Sequence, residues 1–293
     1  MRAALDRVRA ALGRREAMPE RPARGPACTL VAIARDEAPY VAEWLAFHLA
    51  VGVSRILVFD HGSRDGTAGI VARAARRAPA VSLHPVPADP DRTPQLAAYA
   101  AALGLVTTPW VAFLDIDEFL VPWRDGSVPA YLARVPDDVS AVHVNWRSFG
   151  SSGLSAPGYG LVTEAFLRCA EPDWAYQDHY KTLARRERIV YANIHEVALT
   201  HGRRTLSDFT DVDPGAIGSA GRIAYGGIQL NHYQAKTRGE FDARMRLPRA
   251  DAPDVARDAD RDLRFMLLDR NEVEDRAALA FRDATAAWLA RIR

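Results

Sequence analysis

Three carboxylates, Asp115, Asp117 and Glu118, stand at the end of an apolar run, Trp110-Val111-Ala112-Phe113-Leu114. The run has the aromatic and β-branched residues of a buried strand and carries no charge until it stops. Carboxylates emerging from a core strand are costly unless water, a cation or hydrogen bonds receive them. Asp115 and Asp117 point the same way while the chain stays extended, so both can converge on one hard divalent ion. Taken alone, such a pair is better read as a solvated strand end. The elements around it change that reading.

Residues 29–34 (TLVAIA) read as a first buried strand ending in Arg35-Asp36-Glu37. Pro39 then opens a helix with Val41, Trp44, Leu45, His48 and Leu49 on one face, stopped by Gly52. Residues 56–59 form a second strand, which runs into the polar stretch 60–67 and a helix through about residue 78. A third strand over 81–86, an Ala-rich helix over 95–105 and the strand at 110–114 complete the series. This alternation implies parallel strands with right-handed crossovers, hence a doubly wound sheet. Ligands of such sheets bind at the carboxyl ends of the strands. The polar clusters at 35–37, 60–67 and 115–118 all fall at those ends.

After Pro122 the alternation decays. Residues 141–146 predict a strand leading to Arg147-Ser148-Phe149-Gly150-Ser151-Ser152-Gly153, and 162–168 a short helix or strand. Residues 181–199 read as a pair of strands, and 202–227 as a glycine-containing loop or lid. Residues 228–230 form a short strand before Asn231-His232-Tyr233, and the chain beyond about 237 is expected to be helical.

With 48% hydrophobic and 26% charged residues, the 293-residue chain has a soluble globular composition and length enough for one large α/β domain with additions, or two. A formal net charge of +1 gives no argument for nucleic acid as a partner. Cys28 and Cys169 form no CxxC and no disulfide framework, so a reducing cytoplasm is the simplest setting. The first 24 residues lack the apolar core of a secretory signal. They read as a short amphipathic helix and tether, either packed on the domain or in peripheral contact with an anionic membrane. Lys181 and Lys236 are the two lysines among 38 basic residues, which marks them as places where a compact ammonium is wanted.

Five pieces now fall in order: ARDEAPYVAEWLAFHLAVGV, ILVFDHGSRDGT, WVAFLDIDEFLVP, NWRSFGSSG and NHYQAKTRGEF. Together they resemble nucleotide-sugar glycosyltransferases with the A-type fold, in particular the family-2-like and family-92-like group, across residues 29–245. Asp269-Arg270-Asn271 also look family-like, with no chemistry attached. Asp36 departs from the group, which commonly has Asn there. This questions any role needing the amide but leaves a backbone role open.

The resemblance implies an α/β fold, a doubly wound and mostly parallel sheet with a helical C-terminal extension. It suggests a tether over 1–26, an A-type domain over 27–250 (27–122 for the nucleotide, 123–250 for the acceptor) and C-terminal helices over 251–293. The implied reaction is attack of a glycan or glycolipid hydroxyl on the anomeric carbon of a nucleotide diphosphate sugar. The base then falls near Arg35, Glu37 and Asp60, where the Asp60 carboxylate would accept a uracil N–H and favour a uridine donor. Glu37 equally suits a structural hydrogen bond to the adjacent loop. Asp65 is better read as a helix cap than as a ligand contact.

For the leaving group, Asp117 is expected to ligate a metal, and Asp115 to contact the ribose or the metal through water. Oxygen ligands with a diphosphate suit Mn²⁺ or Mg²⁺, and His232, which resembles a C-terminal metal-binding histidine, would favour Mn²⁺. Lys181 and Lys236 either meet phosphate oxygens or are solvated. For the proton, an inverting displacement needs one acid near the acceptor. Glu164 is the expectation by order of pieces, with Asp173, Asp178 and Glu196 competing. Trp146, Phe149, Trp174 and Tyr176 could wall a sugar, although Trp146 equally suits the core. Two rivals remain, a nucleotidyltransferase of related fold and a silent sugar-nucleotide or glycan binder. The first lacks its Gly-rich loop after the first strand, and the intact acidic clusters argue against the second.

Overall fold

The structure is a computed structural model, and the residues it describes are 25–212, 218–247 and 260–293. Four strands and three helices alternate first: β1 (Cys28–Ala34), α1 (Val41–Ala50), β2 (Arg55–Asp60), α2 (Thr67–Arg77), β3 (Val81–Pro85), α3 (Pro94–Leu105) and β4 (Trp110–Phe113). Then come β5 (Glu118–Val121), α4 (Val128–Leu132), β6 (Val139–Ser148), α5 (Val162–Ala165), β7 (Arg168–Cys169) and β8 (Tyr180–Arg185). The chain continues through β9 (Ile189–Ala192), β10 (Val197–Leu199), β11 (Arg203–Leu206), β12 (Gln229–His232), α6 (Arg238–Met245) and α7 (Arg261–Leu268). It closes with β13 (Val273–Glu274) and α8 (Arg282–Ile292).

The main sheet runs β3-β2-β1-β4-β8-β6-β12-β5, with β11 pairing β6 off that path. The first four strands are mutually parallel, as their helical crossovers require. β1 is unbroken apolar sequence because both of its faces are covered. Leu30, Ala32 and Ala34 enter the core under α1 and α2, while Val31 and Ile33 enter the core under α3. β8 then runs antiparallel to both β4 and β6. This insertion joins residues on either side of Pro122 into one sheet. The result is the α/β class expected, mostly parallel with helices at the C-terminal end. α8 packs back on α1, and Phe281, just before it, lies edge-on to Phe47 at 5.8 Å.

Three expectations change. Residues 115–118 are not extended: the Glu118 N–H donates to the Asp115 carbonyl at 3.1 Å, closing a turn between β4 and β5. The stretch 202–227 is not all loop, because β11 joins β6 with Thr205 and Leu206 buried. Such long-range pairing leaves no local periodicity to read. The C-terminal part is not purely helical, since β13 pairs β7. The helix and tether read over 1–24 lie outside the described residues. Among those described, no helix is long and apolar enough to cross a membrane.

Candidate active site

The cleft begins with the register of three strands. β12 pairs antiparallel with β5, setting His232 opposite Glu118, and parallel with β6, setting His232 beside Ser148. The Tyr233 N–H donates to the Asp117 carbonyl at 2.9 Å and pins the acidic turn to the end of β12. His232 Nε2 therefore lies 3.5 Å from Asp117 Oδ2, although 115 residues of chain separate them. Both side chains are buried, at 6% and 4% exposure. They open on a cavity of about 320 Å³ that Arg35, Glu37, Asp115, Trp146, His179 and Arg244 also line.

Asp117 is charge-compensated in this state. Burial alone would push its pKa up, but the Arg244 guanidinium and His232 outweigh burial and hold the carboxyl well below the usual carboxylate range. Arg244, on α6, is ion-paired to the same Oδ2. Its sequence gave no sign of this role, being one arginine among many. His232 Nδ1 lies 3.1 Å from the Gln234 amide nitrogen, a partner able to fix the ring.

Asp115 is held differently. Gln95 Nε2 donates to Oδ1 at 3.2 Å and Lys181 Nζ to Oδ2 at 3.0 Å. Lys181 also donates to the Ile194 carbonyl at 3.1 Å and lies 3.6 Å from Glu118. Burial would lower its pKa, but Asp115 and Glu118 raise it further. Lys181 is thus neither solvated nor free for phosphate: it is the buried counter-ion of the acidic turn. Glu118 receives the Asp115 N–H at 2.9 Å and Trp146 Nε1–H at 2.8 Å, so it braces the turn from within. Lys236 is buried as well, its ammonium 4.4 Å from the Tyr40 ring centre.

At the strand ends, Arg35 and Glu37 line the cleft, and Arg35 Nε is buried with no hydrogen-bond partner. Burial pushes Glu37 up to about 7 against the lowering pull of Arg244 and Lys236. Asp60 is not in the lining. Its carboxylate accepts the Gly62 and Ser63 N–H groups at 3.2–3.4 Å and shapes the following loop. Asp65 ties that loop to the first, accepting from the Ala38 N–H at 2.8 Å and the Thr67 N–H at 3.0 Å. Asp36 has φ of 56° and accepts the Arg64 N–H at 2.7 Å. Asn and Asp both tolerate that left-handed backbone and both offer the oxygen, so the departure from Asn costs nothing here.

Glu164 lies on α5, outside this cleft, with its carboxylate 3.2 Å from Arg282 on α8. The order of sequence pieces could not show that the chain turns away between Gly153 and α5. Trp146 resolves both of its alternatives at once. It is 6% exposed, yet it lines the cleft and tilts over His232 with centroids 4.2 Å apart. Asp269 and Asn271, without assigned chemistry, clamp the turn after β6: their side chains accept the Ser151 and Ser152 N–H groups at 2.6 and 2.7 Å. A Cβ on Gly150 would collide with the Arg270 backbone, which is why glycine stands there.

The donor set of Asp117 and His232 fits a divalent cation in chemistry, a hard oxygen with an imidazole nitrogen. Among the described residues no third His, Cys, Asp or Glu completes a metal-holding cluster. Remaining ligands would have to come from a bound diphosphate or water.

A glycosyltransferase family 92 protein of Arabidopsis thaliana is 26% identical over 221 residues, covering 72% of this chain and 35% of that protein. One from Ricinus communis is 25% identical over 195 residues, 62% of this chain and 32% of its own length. The chain thus spans about a third of the curated relatives it matches. Among solved structures, a mannosyltransferase from Pyrobaculum calidifontis in complex with GDP-Man and Mn²⁺ aligns over 98% of this chain and 81% of its own, at 16% identity and TM-score 0.41. Glucosyl-3-phosphoglycerate synthase from Mycobacterium tuberculosis, in complex with Mn²⁺, UDP-glucose and phosphoglyceric acid, aligns over 56% and 58%, at 19% identity and TM-score 0.32. The profile of "Glycosyltransferase family 92" matches residues 31–220, more than half of the sequence, and the chain belongs to that family.

Proposed function

We propose that this chain transfers a sugar from a nucleotide diphosphate sugar, a UDP-sugar by preference, to a hydroxyl of a glycan or glycolipid acceptor with inversion. The observation that carries the reading is the convergence of Asp117 and His232, from a turn and a strand far apart in sequence, in a cleft at the carboxyl ends of β1 and β4. Asp117 and His232 would hold Mn²⁺ or Mg²⁺, which when bound neutralises charge on the departing diphosphate. Asp115, fixed by Gln95 and Lys181, keeps one face for the ribose or for metal-bound water. Arg35 and Glu37 border the place of the base. Asp60 contributes by shaping the loop beneath them. The two free cysteines, both buried, suit the cytoplasmic setting we assign, where the acceptor would be a polysaccharide precursor and residues 1–24 would touch the membrane peripherally.

The test is thermal stabilisation by a panel of UDP-, GDP- and dTDP-sugars, with and without Mn²⁺. A UDP-sugar should raise the midpoint more with Mn²⁺ than without, and Asp117→Asn should remove the Mn²⁺-dependent part. Release of free sugar from the donor separates an enzyme from a silent binder. A midpoint indifferent to every nucleotide would end the proposal.

A further inference from the structure

Resting on that reading of the cleft, we infer that His179, oriented by Asp178, is the general base that takes the proton of the attacking hydroxyl. Glu37, Asp115 and Asp117 are the acids in the cleft lining among the described residues, and all stand at the strand-end wall. Asp115 is engaged by Lys181 and Gln95, and Asp117 by Arg244. Trp146, Tyr176, His179, Ile194 and His195 line the same cleft. Among those five residues the imidazoles are the groups able to take a proton.

His179 is arranged for that task. Its Nδ1 lies 3.0 Å from Asp178 Oδ1 and 3.1 Å from the Tyr176 carbonyl. Both neighbours only accept, so Nδ1 carries the hydrogen and Nε2 offers its lone pair. The other Asp178 oxygen accepts from the Ser219 hydroxyl. The ring is stacked on Trp146 with centroids 5.1 Å apart and planes 11° from parallel, and Tyr176 lies 4.8 Å away. Its backbone is fixed by the Trp146 N–H donating to the His179 carbonyl at 2.9 Å and by a bridge to Ser219. The side chain is still 33% exposed, so substrate can reach it. His195 is the poorer candidate: burial and then the nearby Lys181 charge lower it to about 4.

In the step, Nε2 accepts the hydroxyl proton while the hydroxyl oxygen bonds to the anomeric carbon. The bond from that carbon to the diphosphate oxygen breaks, and its electron pair leaves with the nucleotide diphosphate. The imidazolium is stabilised beside the Asp178 carboxylate and afterwards loses its proton to water. Water can replace the acceptor hydroxyl, which makes donor hydrolysis a usable assay.

The experiment compares wild type, His179→Ala, His179→Gln and Asp178→Asn with UDP-glucose, UDP-galactose, UDP-N-acetylglucosamine and GDP-mannose in the presence of Mn²⁺. Nucleotide affinity and nucleotide release are both measured. Both His179 variants should bind nucleotide as wild type does and turn over about 100-fold more slowly, with added imidazole restoring part of the His179→Ala rate. Asp178→Asn should lower kcat and leave nucleotide affinity and KM unchanged, because the ring loses the carboxylate that orients it. The groups facing that ring are Asp178, Tyr176, Trp146 and His195, with Ser219 behind Asp178. His179→Gln and His179→Ala turning over within a few-fold of wild type would overturn the base assignment alone. A wild type that binds none of the four nucleotides would overturn the glycosyl-transfer reading and this assignment with it.

Discussion

The buried Asp117 is paired in the cleft with Arg244, itself 31% exposed, and any cation bound by Asp117 has to share that carboxylate with the guanidinium or replace it. Removing the guanidinium leaves the buried Asp117 carboxylate without that counter-charge, at a cost of about 3 kcal/mol. Arg244→Gln should therefore lower stability in metal-free buffer by about that amount, and Mn²⁺ should recover more of it than in wild type. Urea denaturation with and without Mn²⁺ measures both, and an identical Mn²⁺ response in the two proteins would refute the competition. Glu37 gives a second test. Its carboxyl is raised from an ordinary 4.5 to about 7, so its stabilising effect is complete below 4.5 and is lost as pH rises through 7. Glu37→Gln should flatten the decline of the melting midpoint between pH 5 and pH 8.

At the level of elements, α6 matters because it carries Arg244. Its N-terminus is a capping box: Thr237 Oγ1 accepts the Glu240 N–H while Glu240 Oε2 accepts the Thr237 N–H at 3.1 Å. The second Glu240 oxygen accepts from Tyr40 at 2.8 Å and Tyr159 at 2.5 Å, tying α6 to the start of α1 and to the 150s segment. One carboxylate thus closes three pieces of chain over the cleft. Glu240→Ala should cost about 2–3 kcal/mol, since the bonds it breaks are charge-assisted. It should also weaken nucleotide binding, although Glu240 is not in the cleft lining. Calorimetry of nucleotide binding checks this. Unchanged affinity would show that α6 keeps its position without the clamp.

The molecule as a whole keeps two histidines under the sheet. His48 donates through Nδ1 to the Trp44 carbonyl at 2.9 Å and accepts the Leu120 N–H at Nε2, joining α1 to β5. Burial lowers it to about 3, opposed only by the bond to Trp44. His143, between β8 and β11, is lowered to about 3 by burial and then by Arg204. A depressed folded value gives stability that is present above 6.5 and lost as pH falls toward 3. Acidification from pH 6.5 to 4.5 should lower the urea midpoint. His48→Met should cost about 1–3 kcal/mol at pH 7 by orphaning the Leu120 N–H, yet show a shallower acid loss. A parallel acid limb in the two proteins would exclude His48 as a source of it.

The parallel half was legible because its rules are local. Unbroken apolar strands, crossover helices and polar ends repeat along residues 28–118; β1, β2 and β3 lie side by side in chain order, and β4 crosses back to pair with β1. The sequence alone determined that Asp115 and Asp117 stand at the end of a buried strand, where they line the cleft, and motif order suggested His232 as their companion. Only the tertiary structure decided the rest, because antiparallel insertion and ion pairing act between residues far apart along the chain. β8 entering between β4 and β6 turned Lys181 into the internal counter-ion of the acidic turn. α6 brought Arg244 onto Asp117, and α5 carried Glu164 away from the cleft. Charges so placed are chosen by Coulomb attraction at low dielectric, which depends on distance through space and leaves no periodicity in the sequence.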